Sequence, residues 1–229
     1  MEAVAKRGRT LVFDVNETLL DIEVLNPFFE RVFGDGQIMR QWFAELIVYS
    51  EALTLSGDYT QFGTLATAVL QMVARVRQVE LKESDIAEFK STMGKMPPHR
   101  EVPEALEKLA SAGFRMVTLT NSSGEAGKES LVQAGLYGFF EHTFSVDEVG
   151  KFKPAREVYA HVARTLNAEP SGLRLIAAHT WDTLGALAAG YSAALVARPG
   201  NAQLAVGPQP DIVEPDLLQT ARRIVDVDR

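Results

Sequence analysis

The sequence predicts an α/β protein: a doubly wound, Rossmann-like parallel sheet carrying a helical segment after its first strand. Three observations carry this. A short apolar run, Leu11-Val12-Phe13, ends in polar residues near the N-terminus. Residues 22 to 95 then show no strand pattern, only apolar residues at helical spacing. From residue 101 onward, short apolar runs alternate with helical patterns of roughly 10 to 15 residues, as in parallel strands joined by crossover helices.

The elements follow in order. The first strand delivers Asp14 at its carboxyl end. Amphipathic helices are expected over about 22–34, 36–54, 58–79 and 83–93, separated by Gly34-Asp35-Gly36, Ser56-Gly57 and Lys82-Glu83-Ser84. A helix over 101–113 stops near Gly113, and "RMVTLTN" reads as a strand ending in polar residues. A helix over 124–135 leads to the strand-like "HTFSV". Pro154 suits the first turn of a helix over 154–167. Strand "LRLIAAH", a helix over 182–189, strand "AALVAR" and a last unit around "DIVEPDLLQTARRIV" complete the chain. Residues 1–20 and 96–229 are expected to form the α/β core, and residues 21–95 a helical cap.

Composition excludes several classes of function. Hydrophobic residues make up 46% and charged residues 23% of 229, an ordinary globular balance. A formal net charge of -7 argues against a nucleic acid partner, which calls for clustered Lys and Arg. The absence of cysteine rules out disulfides, thiolate metal sites and Cys nucleophiles. "MEAVAKRGRT" lacks the apolar stretch of a signal peptide, and no run approaches the ~20 apolar residues of a membrane span. The expectation is a cytoplasmic protein without a membrane partner.

In open α/β sheets, ligands bind beyond the carboxyl ends of the strands. Here those ends carry Asp14 and Thr18, Thr120 and Asn121, Lys153 in a loop, and His179, Trp181 and Asp182. Each has an ordinary reading: a helix cap for Asp14 or Asp182, a turn for Thr120-Asn121, a solvated loop residue for Lys153. Carboxylates, hydroxyls, an amide and an ammonium at successive strand ends make a reactive site the better account.

"FDVNETLLD", "LTNSS", "KFKPAREVY" and "AAHTWDTLGALAAG", in this order, resemble the four motifs of the haloacid dehalogenase superfamily, and the segment after the first motif is similar to its helical cap. Within the superfamily the chain most resembles the L-2-haloacid dehalogenases. Most superfamily members are magnesium-dependent phosphatases, with an acid two residues after the nucleophile and a second metal-binding acid in the fourth motif. Those positions here hold Asn16, Ala177 and Ala178. Mg²⁺ is usually held by carboxylates in near-octahedral geometry, so no metal site and no cofactor are expected. Halide displacement needs no proton donor at position 16, because halide leaves unprotonated.

The resemblance implies a mechanism and roles. Asp14 attacks the halogen-bearing carbon of a short 2-haloacid, and water hydrolyses the resulting ester. Lys153 holds Asp14 ionised, beside Asp182 and with Tyr159 supporting the lysine. Thr18, Thr120 and backbone N–H groups after Asp14 bind the substrate carboxylate. Arg40, with Asn121, cradles the departing halide ion. Phe62 and Trp181 wall the alkyl group, and a homodimer through the cap is carried over from the family.

Two departures stand out. The dehalogenases generally have tyrosine where Asn16 stands, so another residue is expected to supply that pocket wall, Trp42 being the candidate. They have serine at the Ala177 position and asparagine at the His179 position. His179 is either a neutral imidazole that activates water or a packed histidine beside a site with a different substrate. The competing functions are a phosphatase with an unusual metal site and a non-catalytic binding protein.

Overall fold

The structure, a computed structural model, describes residues 8–228; residues 1–7, over which most of the signal-peptide reading falls, lie outside it. Six parallel strands form one sheet in the order β3-β2-β1-β4-β5-β6. They are β1 Thr10–Phe13, β2 Met116–Thr120, β3 His142–Ser145, β4 Leu173–Ala177, β5 Ser192–Val196 and β6 Ile212–Glu214. Phe13 of β1 aligns with Thr118 of β2 on one side and Ile176 of β4 on the other. The chain winds outward from β1 through β2 and β3, then returns to β4 and winds the other way. The crevice between the ends of β1 and β4 is therefore the switch point where such sheets bind ligands.

Strand composition explains the burial. Every residue of β1, β2 and β4 is buried, which suits the mainly apolar side chains on both faces of a sheet covered by helices. Helices α5 Val102–Ser111, α6 Gly124–Gln133, α7 Arg156–Thr165, α8 Thr180–Ala188 and α9 Leu217–Asp228 supply that cover. Pro154 precedes α7 instead of entering its first turn, since the helix begins only at Arg156. Helix α8 begins two residues earlier than the sequence suggests. Far from the switch point, Arg174 is fully buried against Asp211 and Asp228 and also donates to Ala193 O at 3.1 Å.

Between β1 and α5 the chain forms a short 3-10 turn, Ile22–Leu25, and helices α1 Asn26–Phe33, α2 Ile38–Ser56, α3 Phe62–Val76 and α4 Glu83–Met93. The sequence places α3 four residues too early: Gln61 is still extended, and Gly57 ends α2 in the left-handed region at φ 80°. These helices share an aromatic centre of Phe28, Phe29, Trp42 and Phe89. Three contacts bring the helical segment over the strand ends. Arg40 pairs with Glu17, Phe152 N donates to Thr54 Oγ1 at 3.0 Å, and Phe43 lies 5.4 Å from the His179 ring. Among the described residues no helix is long and apolar enough to cross a membrane.

Candidate active site

Lys153 organises the crevice. It is fully buried, and its Nζ donates to Asp14 Oδ1 at 2.7 Å, Asp182 Oδ2 at 2.6 Å and Leu119 O at 3.1 Å. An ammonium has three N–H donors, so all are used. The loop carrying it is tied down by its own backbone, Lys153 N donating to Asn121 Oδ1 at 3.0 Å. Asp182 does not cap α8: its second oxygen accepts from the Tyr159 hydroxyl at 2.5 Å. Gly185 makes that approach possible, because a Cβ there would fall 2.6 Å from Tyr159 Oη.

Several expected roles change once the residues are placed. Tyr159 is completely buried and contacts Asp182, so it reaches Lys153 through that carboxylate and does not face a substrate. Thr18 is also fully buried; its hydroxyl donates to Asp14 Oδ2 at 2.6 Å and accepts from Ala178 N at 2.8 Å. It therefore orients the carboxylate of Asp14 and has no donor left for a substrate. Thr120 Oγ1 accepts from Ser122 N at 3.1 Å. Arg198 braces the turn after Asp14 by donating to Thr18 O at 2.6 Å.

His179 sits between two carboxylates. Its Nε2–H donates to Glu17 Oε2 at 2.8 Å, and Nδ1 lies 3.3 Å from Asp14 Oδ2 without a well-aligned hydrogen bond. Trp181 stacks on the imidazole at 4.8 Å. Glu17 was not singled out from the sequence, yet it is buried and has φ 64°, in the left-handed region that L side chains seldom adopt. Such a conformation costs on the order of 1–3 kcal/mol and persists where surrounding contacts over-determine it. Three do so here: His179, Arg40 and Asn201, whose Nδ2 donates to Glu17 Oε1 at 2.8 Å.

This placement corrects the reading of Arg40. Its guanidinium is engaged by Glu17, by Glu23 at 3.1 Å and by Pro199 O at 3.3 Å. It faces a separate cavity of about 100 Å³ with Asp21, His99 and Arg198, and shares no cavity wall with Asn121 among the described residues. Arg40 is thus linked to His179 through Glu17.

The charges settle accordingly. Burial alone would raise the pKa of Asp14, but Lys153 and His179 outweigh it and hold the carboxyl well below the usual range. Burial likewise opposes ionisation of Glu17, and His179 and Arg40 bring its pKa down to about 2. Burial would lower the pKa of His179; the charges of Asp14 and Glu17 and the hydrogen bond to Glu17 raise it to about 9. Both carboxylates thus favour the imidazolium in the free site, where the sequence suggested a neutral imidazole. Burial and the neighbouring Asp14 charge push Asp182 upward against Lys153.

A cavity of about 10 Å³ adjoins Asp14, with Asn16, Phe43, Ile47, Phe62, Thr120, Asn121, His179 and Trp181 as its walls. Phe62, Asn16 and Trp181 line this cavity, whereas Trp42 does not. Its ring packs inside the helical segment and its indole N–H donates to Ala66 O at 3.0 Å; the neighbouring Phe43 faces the cavity instead. Magnesium fits this arrangement poorly. The two carboxylates it would need, Asp14 and Asp182, are bridged by the Lys153 ammonium, and position 16 offers an amide.

Known proteins resemble this chain in sequence and in fold. A family model of haloacid dehalogenase-like hydrolases matches residues 9–190. (S)-2-haloacid dehalogenase 2 of Pseudomonas sp. (strain CBS-3) is 28% identical over 207 residues, covering 90% of each chain. Haloacetate dehalogenase H-2 of Moraxella sp. (strain B) is 26% identical over 212 residues, 92% of this chain and 95% of that one. In structure, L-2-haloacid dehalogenase from Xanthobacter autotrophicus with chloropropionic acid covalently bound matches at a TM-score of 0.87 and 24% identity, over 96% of this chain and 99% of that one. That likeness shows the fold. A family model covering most of the chain, with one fold in common, settles the membership: the chain belongs to the haloacid dehalogenase-like hydrolases.

Proposed function

We propose that this protein is a hydrolytic dehalogenase of short 2-haloacids, such as haloacetate and L-2-halopropionate, working through an ester on Asp14. One observation carries the reading: Asp14 is ionised and clamped by Lys153, with an amide at position 16 and an unbonded imidazole nitrogen 3.3 Å from its carboxylate. The names of the relatives, (S)-2-haloacid dehalogenases and a haloacetate dehalogenase, support it.

In the first half-reaction an Asp14 oxygen bonds to the carbon bearing the halogen as the carbon–halogen bond breaks, and halide leaves with the electron pair. The His179 imidazolium and the Asn121 amide, both on the cavity wall, offset the charge of the substrate and of the departing halide. Esterification then removes the negative charge on Asp14. With only Glu17 left to hold its proton, His179 becomes easier to deprotonate, and its proton passes to solvent.

Nδ1 now accepts a proton from water as that water attacks the Asp14 carbonyl carbon, while Glu17 keeps the ring oriented through Nε2. The acyl–oxygen bond breaks, the 2-hydroxyacid oxygen takes the proton from Nδ1, and the restored Asp14 carboxyl gives its own proton back to His179. The net change is a 2-haloacid and water to a 2-hydroxyacid, halide and one proton. On this account His179 is charged while the substrate anion binds and a base only while the ester exists.

The test is halide release from chloroacetate and from both enantiomers of 2-chloropropionate, with EDTA present. The reading expects release from chloroacetate and L-2-chloropropionate that chelation leaves intact. Activity confined to phosphate esters, lost in EDTA and restored by Mg²⁺, would establish the phosphatase alternative. Release from none of these substrates would leave the binding-protein alternative.

A further inference from the structure

Beside the catalytic cavity lies a much larger one of about 490 Å³, between α3 and α4 on one side and the start of α6 on the other. Asn16 and Phe62 line both, so they form the partition between the two. The sizes differ in kind. About 10 Å³ is roughly the space of one water, whereas ~300–1,000 Å³ is the range of small-molecule sites. A substituent that extends from the reacting carbon toward Asn16 and Phe62 therefore meets the larger chamber beyond them.

The partition is weakly held on one side. Asn16 is only partly buried, and its side chain makes a single long hydrogen bond, 3.4 Å to Ser122 Oγ. Beyond it the wall is mixed, with Phe89, Met93 and Met96 giving apolar contact and Gln61 and Gln71 giving amides. The chain has 30 acidic residues and a net charge of -7, yet among the described residues no Asp or Glu lines this chamber, and the charged group on its wall is Lys90. A wall with a cation and no acid favours an anionic end group over a cationic one.

We infer that this chamber receives the substituent of longer 2-halocarboxylates, in particular chains ending in a second carboxylate. The inference rests on the dehalogenase chemistry proposed for Asp14 and adds its substrate class. Lys90 would face the distal carboxylate, the methionine and phenylalanine side chains the methylenes between, and Asn16 would turn aside as the chain passes.

The experiment compares kcat/KM for bromide release from bromoacetate, 2-bromohexanoate and 2-bromohexanedioate, in wild type, Ala68→Trp and Lys90→Glu. Ala68 and Lys90 are exposed positions on the chamber wall that do not line the catalytic cavity. Ala68→Trp should cut both six-carbon substrates by about tenfold or more, the scale of a lost pocket, and leave bromoacetate within about twofold. Lys90→Glu should cut the dioate by about tenfold relative to the hexanoate, through like-charge repulsion. Turnover of bromoacetate alone, or long substrates indifferent to Ala68→Trp, would overturn the chamber assignment while leaving the dehalogenase reading intact. Long substrates sensitive to Ala68→Trp but indifferent to Lys90→Glu would overturn the preference for a second carboxylate. Bromide released from none of the three would remove the reading on which the inference rests.

Discussion

His179 Nε2–H donates to Glu17 Oε2 at 2.8 Å, while the opposite ring nitrogen stands 3.3 Å from Asp14 Oδ2 with no aligned partner. One carboxylate therefore orients the imidazole and the other is the group on which it works. The arrangement assigns separate tasks to two acids three positions apart in the chain.

The first expectation concerns Glu17. Its backbone lies at φ 64°, so Glu17→Gly removes both the carboxylate and the backbone strain. Chemical denaturation should show a smaller loss of stability than removal of a buried ion-pair partner alone would cause, because relief of strain offsets part of it, while steady-state turnover drops by about 10²-fold, the lower end of general-base effects. Glu17→Gln should keep the bond to His179 in weaker form and lose less. Wild-type turnover in Glu17→Gly would show that the pair is structural.

His179→Ala should spare ester formation and stall hydrolysis. Rapid-quench measurement should find a burst of about one halide per active site, with the Asp14 ester visible as a mass shift. The steady-state rate should fall by ~10²–10⁴-fold. His179→Asn, which can still orient water, should lose less. Equal rates in wild type and His179→Ala, without a burst, would mean a packed histidine.

The pH dependence follows from the same residues. The folded-state pKa of His179, about 9, lies above its ordinary 6.5. The imidazolium's contribution to stability is thus complete below about pH 6.5 and is lost as pH rises through about 9. For activity, kcat/KM should decline above about pH 9, because the neutral ring no longer balances Asp14 and Glu17 as an anionic substrate enters. Glu17→Gln should move this limb to lower pH, as read by kinetics and by NMR titration of the ring. An alkaline limb unmoved by Glu17→Gln would contradict the coupling.

Much of this was legible in the sequence, for definite reasons. Alternating apolar runs and helical patterns identify the parallel sheet, and strand ends locate Asp14, Lys153 and Asp182 before any coordinates exist. What failed was direction. Adjacent helical residues point about 100° apart, so Trp42 entered the interior of the helical segment while Phe43 took the cavity wall. Arg40 was assigned by likeness alone, and its guanidinium went to the nearest buried carboxylate, Glu17. Glu17 itself stood in the motif that contains Asp14, but its inward direction depends on a positive φ that propensity does not predict for glutamate.

The most direct test of the central claim is a single-turnover reaction in H₂¹⁸O with enzyme in excess over L-2-chloropropionate, followed by mass analysis of the peptide carrying Asp14. Attack by the carboxylate places ¹⁸O first in Asp14, with the label reaching lactate only in later turnovers, and Asp14→Asn abolishes halide release while the protein stays folded. Label found in lactate after the first turnover, with Asp14 unlabelled, would contradict the account, because water and not Asp14 would then have attacked the carbon.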